Sequence, residues 1–221
     1  MTEKEDIFDV IAKTVAGQKN YSIDLNCYNY KQCPDQHMGK VQNKNWKRKN
    51  IFNENGEVIL KKFPSGEGAM IVILESPHTE EYDINGIPQG PACGTTGKNL
   101  RKMSELIIFQ NYKNYQLYII NAIPFQCSLG DKKMTCRDRV FTATWKKREI
   151  GKKYFTERLD NLVETLSSKY DTIIFVNACT VRNNRKKNVQ EVIDHIKKHR
   201  EIKSFETEHP ANWNIPELIE N

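Results

Sequence analysis

Blocks of apolar residues alternate with polar stretches along the chain, and the blocks have two different periods. The clearest runs from Ala69 to Leu74, six apolar residues of which three are Ile or Val. Such a run between a glycine turn and a proline is typical of a strand that is buried on both faces of a parallel sheet. Similar runs predict further strands over 117–123, 172–176 and 203–207.

Apolar residues recur every three or four positions between these runs, which predicts helices over 98–109, 153–168 and 189–199. Strands that alternate with helices predict an α/β fold of three layers, α/β/α, around a central four-stranded and mainly parallel sheet.

The remaining segments give weaker signals. Residues 4–16 have helical spacing, Asn55-Gly56 predicts a hairpin within 51–63, and segments 20–50 and 128–153 have no period and are expected to be irregular. A chain of 221 residues can bury one good core. We therefore expect a single domain over 1–221, with the helix, irregular segment and hairpin in 1–65 and the core in 66–221.

Composition places the chain among polar-surfaced globular proteins, with 38% hydrophobic and 28% charged residues. No run approaches the roughly 18 apolar residues of a membrane span, and the acidic N-terminus lacks the pattern of a secretion signal. We expect a cytoplasmic protein without membrane contact. The net charge of +6 permits nucleic-acid binding. Basic clusters lie at 44–49, 146–153 and 182–187, and the sequence does not determine whether they share a face.

The six cysteines include no C-x-x-C pair, and no disulfide framework is expected in the cytoplasm. We therefore expect no metal and no cofactor. A set made of Cys27, Cys33 and His37 is the weaker alternative, because its spacing is wrong for a zinc site.

Polar residues follow three of the predicted strands. Glu75, Ser76 and His78 come after the first, Asn121 lies on the second, and His209 follows the fourth. The carboxyl ends of parallel strands meet at one edge of a sheet, which is where α/β proteins bind ligands. Asn121 either makes a structural hydrogen bond or reads a base, since an amide both donates and accepts. His209 either caps a turn or stabilises a developing anion.

The order of these motifs resembles that of the uracil-DNA glycosylase superfamily, and the motifs themselves look closest to its family 4. That family carries Gly-Glu-Ala-Pro-Gly, then Gly-x-Pro-Phe-Val-Gly-x-Ala-Gly-x-Leu, then Tyr-Ile-Thr-Asn, and finally His-Pro-Ser. The corresponding stretches here are Leu74 to His78, Gly90 to Leu100, Tyr118 to Asn121 and His209 to Ala211.

The resemblance implies a role for each matching residue. The implied catalytic residues are Glu75, which would stabilise a sugar cation or orient water, Ser76, and His209 at the departing base. The implied base-binding residues are Asn121, His78, Ala92 and Phe125. The implied DNA-binding residues are Gly94, Thr95, Thr96, Gly97, Lys98, Pro210 and Asn212.

Three departures from family 4 shape the expected substrate. Ala92 replaces the aromatic residue that stacks on uracil, the iron–sulfur cysteine spacing is missing, and Ser76 stands where some relatives have Asp or Asn. Ala92 therefore predicts either a roomier pocket or a stacking partner from elsewhere in the chain, for which Phe125 is the candidate. A bulky modified cytosine of phage DNA fits a roomier pocket better than uracil, as in the superfamily's known antiviral glycosylase for glucosylated hydroxymethylcytosine.

The resulting expectation is a monofunctional DNA glycosylase that flips out the base and leaves an abasic site. None of the predicted catalytic residues is a lysine, which argues against a Schiff-base lyase. We expect DNA as the partner and no obligate protein partner. The alternatives are a catalytically silent nucleic-acid-binding or sensing module on the same fold and a hydrolase of small N-glycosides.

Overall fold

Seven strands form one mixed sheet in the computed structural model, which describes residues 31–53, 57–60, 63–127, 134–146, 150–198, 200–213 and 218–220. The order across the sheet is β2-β1-β4-β3-β5-β6-β7. The strands are β1 (Gln36–Lys40), β2 (Lys49–Asn50), β3 (Ala69–Leu74), β4 (Gln116–Asn121), β5 (Ile173–Asn177), β6 (Ile202–Glu206) and β7 (Ile219–Glu220).

The α/β class is confirmed, and the four predicted strands are the parallel centre, β3 to β6. The predicted number of strands is wrong, because β1, β2 and β7 extend the sheet by antiparallel pairing. The three added strands are short, and β1 is interrupted by a register shift between His37 and Gly39. Strands this short carry no clear two-residue period, so the sequence of 20–50 gives no signal for β1 and β2.

Four helices lie between or beside the strands in the described part of the chain: α1 (Thr95–Leu100), α2 (Met134–Lys146), α3 (Ile150–Ser167) and α4 (Arg185–Lys197). The helices predicted over 153–168 and 189–199 are confirmed as α3 and α4. The expected helix over 98–109 is wrong, because α1 ends at Leu100 and two 3-10 turns follow, separated by the extended Leu106.

The predicted loop over 128–153 is also wrong, because it contains α2 and the start of α3. A usable signal was present: Phe141 and Trp145 lie one helical turn apart and stack with ring centroids 5.5 Å apart. The helix expected over 4–16 and the Asn55-Gly56 turn lie outside the described residues, although Phe52 and Val58 form an antiparallel bridge around that turn.

The two faces of the sheet are covered differently. On one, which we call the helical face, α2, α3 and α4 pack on a large apolar cluster that includes Ile71, Phe155 and Val189. On the other, the loop face, short elements and loops pack on a smaller cluster that includes Leu74 and Leu100. None of the helices in the described part of the chain combines the length and apolar composition that a membrane crossing requires.

This topology contains a switch point. The chain leaves β3 toward β4 on one side, whereas β5 lies on the other side of β3 and leads on to β6. At such a point the two connections diverge and leave a crevice beyond the carboxyl ends of the adjacent strands. The ends of β3 and β5 are therefore the expected place for a site.

Candidate functional site

A cleft of about 330 Å³ opens at the carboxyl ends of β3 and β5. It gathers residues from four separate segments: the turn after β3, the start of α1, the turn after β5 and the segment after β6. The lining residues are Leu74, Glu75, Ser76, Pro77, His78, Glu80, Glu81, Gly94, Thr95, Thr96, Thr180, His209, Ala211 and Asn212.

Eight of the residues singled out from the sequence therefore come together: Glu75, Ser76, His78, Gly94, Thr95, Thr96, His209 and Asn212. The others do not line this cleft. Lys98 is exposed on α1, Pro210 is buried and its carbonyl accepts a hydrogen bond from the Asn99 amide at 2.7 Å, and Phe125 packs against the helical-face cluster. A base held on the loop face would not stack on Phe125 in this position.

Ala92 and Gly97 lie beneath the cleft wall. Ala92 is fully buried in the loop-face cluster, so its small side chain serves packing and does not enlarge the cleft as the sequence suggested. A Cβ on Gly97 would lie 1.7 Å from the Ala92 carbonyl oxygen, so only glycine permits this approach.

Glu75 is buried and its carboxylate is already engaged. One oxygen accepts hydrogen bonds from the Thr180 backbone N–H and hydroxyl, at 2.8 and 2.9 Å, and the other lies 3.3 Å from the guanidinium of Arg185. Arg185 is itself fully buried. Together these contacts tie the end of β3 to the segment after β5 and keep the carboxylate in an ionised, charge-balanced setting.

The two cleft histidines share one hydrogen-bonding arrangement. His78 Nδ1 accepts from the Glu80 backbone N–H at 3.4 Å, and His209 Nδ1 accepts from that of Ala211 at 3.2 Å. An imidazole nitrogen that accepts carries no proton, so the neutral ring carries its proton on Nε2. Both rings can therefore offer an Nε2–H donor to a ligand.

Asn121 lies at the end of β4, in register with Leu74, which lines the cleft. Its side chain is fully buried, and neither amide atom has a hydrogen-bond partner among the described residues. Its backbone is held firmly: the N–H donates to Asp35 at 2.8 Å, and the carbonyl accepts from Arg158 at 2.7 Å. A buried amide without a partner is costly, and its retention needs an explanation.

Glu81 is a buried cleft carboxylate that the sequence analysis missed. Its oxygens accept backbone N–H groups of His78, at 3.0 Å, and of Ala92, at 2.5 Å. Burial raises the pKa of Glu81 to about 7, against the opposing effect of those bonds and of nearby Arg48. The spacing of His78 and Glu81 is that of a capping box, which was a usable sequence signal. A carboxyl that titrates near neutral pH in a cleft is typical of a functional site.

Among the described residues, no three His, Cys, Asp or Glu side chains come together as a metal-binding group. In the alternative metal set, Cys27 lies outside the described residues, Cys33 is buried, and the His37 ring bonds to Gln116 at 2.9 Å. Burial lowers the pKa of His37.

Comparison with known proteins adds nothing to this geometry: no family model, no curated protein and no solved structure matches the chain. The glycosylase resemblance therefore stays a prediction from the motifs.

Proposed function

We propose that the protein is a DNA glycosylase that takes a flipped pyrimidine into the cleft and hydrolyses its N-glycosidic bond. The observation that carries this proposal is the Asn121 amide, buried and without a partner beside Leu74 of the cleft. An amide presents a donor and an acceptor side by side, which matches the Watson–Crick edge of one base. A bound base would satisfy the atoms that the free protein leaves unsatisfied.

In the proposed reaction the C1′–N1 bond breaks and its electron pair leaves with the base as an anion. The oxygen of a water molecule bonds to C1′, and the proton that this water loses neutralises the base. In this proposal His209, whose Nδ1 accepts from the Ala211 N–H, donates from Nε2 to the base oxygen as negative charge develops. The carboxylate of Glu75, which lines the same cleft, stabilises the sugar cation. In this proposal Ser76 and His78, which also line the cleft, position the attacking water.

A polymer substrate is supported by the surface next to the cleft. Arg101 of the α1 region lies over the Trp46 ring at 4.4 Å, and Arg48 lies over the same ring at 5.4 Å. The stack places Trp46 and Arg48 beside the end of α1. Exposed lysines in or next to these two segments can contact phosphates, and they are Lys44, Lys47, Lys49, Lys98 and Lys102.

A decorated base fits the cleft better than bare uracil. The Glu80 carboxylate lies against Gly94, with an oxygen 1.8 Å from where a Cβ on Gly94 would be. A carboxylate at this wall accepts hydrogen bonds from hydroxyl or amino groups and repels phosphate. We therefore favour a modified cytosine of phage DNA whose substituent carries hydroxyl groups, with antiviral defence as the role.

One observation favours the alternative of a catalytically silent binding module. Both oxygens of Glu75 are already engaged by Thr180 and Arg185, which is what a purely structural carboxylate would show. The two functions make different predictions for substitutions in the cleft.

The test incubates the protein with DNA carrying uracil, hydroxymethylcytosine or glucosylated hydroxymethylcytosine, followed by alkali and strand separation. We expect alkali-labile breaks with the glucosylated base, lost in Glu75→Gln and His209→Ala. His195→Ala, an exposed histidine on α4, is the matched control and should keep the activity. Salt-sensitive DNA binding without breaks on any substrate would identify the binding module instead.

A further inference from the structure

Ala92 lies beneath the cleft wall and has an unusual backbone conformation. Its backbone has a φ of +58°, a left-handed conformation that costs a non-glycine residue free energy. Such a conformation persists only where the surroundings enforce it. At Ala92 this conformation is held by side chains that bond to the Pro91 and Ala92 peptide groups.

Two charged side chains hold the peptide from opposite directions. The Glu81 carboxylate accepts the Ala92 N–H, and the Arg48 guanidinium donates to the Pro91 and Ala92 carbonyls at 2.7 and 3.2 Å. Gly97 closes the third side by allowing close approach to the Ala92 carbonyl. Charge-assisted bonds of this kind are short and directional, so they fix position as well as add stability.

Glu81 connects two separate segments of the chain. Glu81 also accepts the His78 N–H, so one carboxylate joins the turn after β3 to the loop that leads into Gly94 and Thr95. Residues of both segments line the cleft. Glu81 is therefore a direct link between two parts of the cleft lining.

We propose that Glu81 and Arg48 are positioning residues that clamp the Ala92 peptide and thereby hold these two parts of the cleft lining at the separation needed for ligand binding. The proposal deepens the glycosylase proposal and rests on it only for the activity readout. Neither residue touches the reacting atoms. Each acts through the peptide that it holds.

Ionisation of Glu81 controls the clamp. A carboxylate accepts two N–H groups, whereas a protonated carboxyl has one good acceptor oxygen. The ionisable groups that face Glu81 are Arg48, Glu80, Tyr82, Cys33 and Cys93. Burial raises the pKa of both thiols and of the Tyr82 phenol, so these three stay neutral as Glu81 ionises near pH 7. The bonds from the Ala92 and His78 N–H groups lower the Glu81 pKa, against the larger effect of burial, so these two bonds should tighten as the pH rises through about 7 even though burying the ionised carboxylate costs stability to the whole fold.

The first test needs no substrate. Amide hydrogen exchange at Ala92 is measured by NMR on the full chain and expressed as a protection factor, which removes the intrinsic pH dependence. We expect protection to rise with pH through about 7 in the wild type and to stay flat in Glu81→Gln. We also expect the Ala92 protection factor to fall about tenfold in Arg48→Met, the factor expected for losing an ordinary hydrogen bond. In this variant Glu81 still accepts the Ala92 N–H, so the loss comes from the Arg48 bonds to the Pro91 and Ala92 carbonyls.

Glu80→Gln is the matched control, because it removes the neighbouring carboxylate of the same 3-10 turn without touching the Ala92 N–H. Glu80 raises the pKa of Glu81, so in this variant the rise of Ala92 protection should move to lower pH, while protection at pH values well above 7 should be unchanged. Equal protection in the wild type, Glu81→Gln and Arg48→Met would overturn the proposal. Protection factors are compared only among variants whose NMR spectra show a folded protein. If Glu81→Gln does not fold, the proposal is tested by the Ala92 protection factor of Arg48→Met.

The second test uses base release from the substrate identified above. The wild type should gain activity as the pH rises through about 7, and Glu81→Gln should lose this pH dependence while still binding DNA. If no base is released but Ala92 protection follows the pH, the clamp stands and the glycosylase proposal falls. If base is released without any change of protection among the variants, the clamp falls and the glycosylase proposal stands.

Discussion

The carboxyl ends of β4 and β5 are built from the same parts and use them differently. Each ends in a fully buried asparagine, Asn121 or Asn177, and each lies beside a buried carboxylate–arginine pair. The Asn177 amide donates to the Lys186 carbonyl and to Gln190, both at 3.0 Å. The Asn121 amide has no partner among the described residues, and the adjacent pair holds only its backbone.

The amide at the end of β5 serves the structure, whereas the amide at the end of β4 makes no hydrogen bond among the described residues. At β5 the Asn177 amide joins the strand to α4, and the pair of Glu75 and Arg185 joins the end of β3 to the start of α4. At β4, pairing with β1 reaches only to Ile119, opposite Gln36, and beyond that point Asp35 and Arg158 bond the Asn121 backbone and leave its side-chain amide without a partner among the described residues. A protein gains nothing in stability from an unused buried amide, so this end is the one that ligand binding would explain.

The largest effect should come from breaking the ion pair that holds β4. Arg158→Met leaves the buried Asp35 carboxylate without its guanidinium, which should lower the free energy of unfolding by about 3–5 kcal/mol in urea titrations. Adding Asp35→Asn should recover most of this loss. Arg200→Met breaks a half-exposed pair with Asp160 and should cost within about 1 kcal/mol. Equal losses in the free energy of unfolding for Arg158→Met and Arg200→Met would contradict the view that the pair of Asp35 and Arg158 holds the end of β4.

The second effect concerns Glu81, whose oxygens accept N–H groups rather than a guanidinium. Its pKa is raised from 4.5 to about 7, so the stability it contributes is complete below pH 4.5 and is lost as the pH rises through 7. Relative to Glu81→Gln, the wild type should therefore lose roughly 3 kcal/mol over this range. Urea titrations at several pH values measure it, and a difference that is constant with pH would contradict the prediction.

The two asparagines can be compared directly by the same substitution. Asn177→Leu leaves the buried partners of its amide unsatisfied and should cost about 2 kcal/mol. Asn121→Leu removes an amide without a partner and should raise the free energy of unfolding by about 1 kcal/mol, while base release is lost. Thermal unfolding of both variants measures the contrast. A loss of stability in Asn121→Leu would mean that its amide has a structural partner.

The smallest effect tests how tightly the β5 end is bound to Glu75. Thr180→Val removes the hydroxyl that bonds the carboxylate and keeps the backbone N–H bond, which should cost about 1 kcal/mol. Thr165→Val, on the exposed side of α3, is the matched control and should stay within about 0.5 kcal/mol. Equal values in urea titrations would show that the hydroxyl contact adds nothing.

Sequence periodicity determined the central part of the fold. The fully apolar run of β3 and the regular spacing in α3 and α4 are local signals, because burial on both faces or on one stripe leaves a pattern in consecutive residues. The same patterns put Glu75, His78 and His209 at strand ends, where the structure brings them into one cleft.

Tertiary structure alone decided the rest. Strands β1, β2 and β7 exist because neighbours offer them hydrogen bonds, and so short a strand has no period of its own. The engagement of Glu75 by Arg185 and the clamp of Glu81 on Ala92 join residues that lie 11 or more positions apart. Asn121 and Asn177 look alike in sequence, and only the packing around each determines that one amide is hydrogen-bonded while the other has no partner among the described residues, because hydrogen-bond partners are set by space and not by chain order.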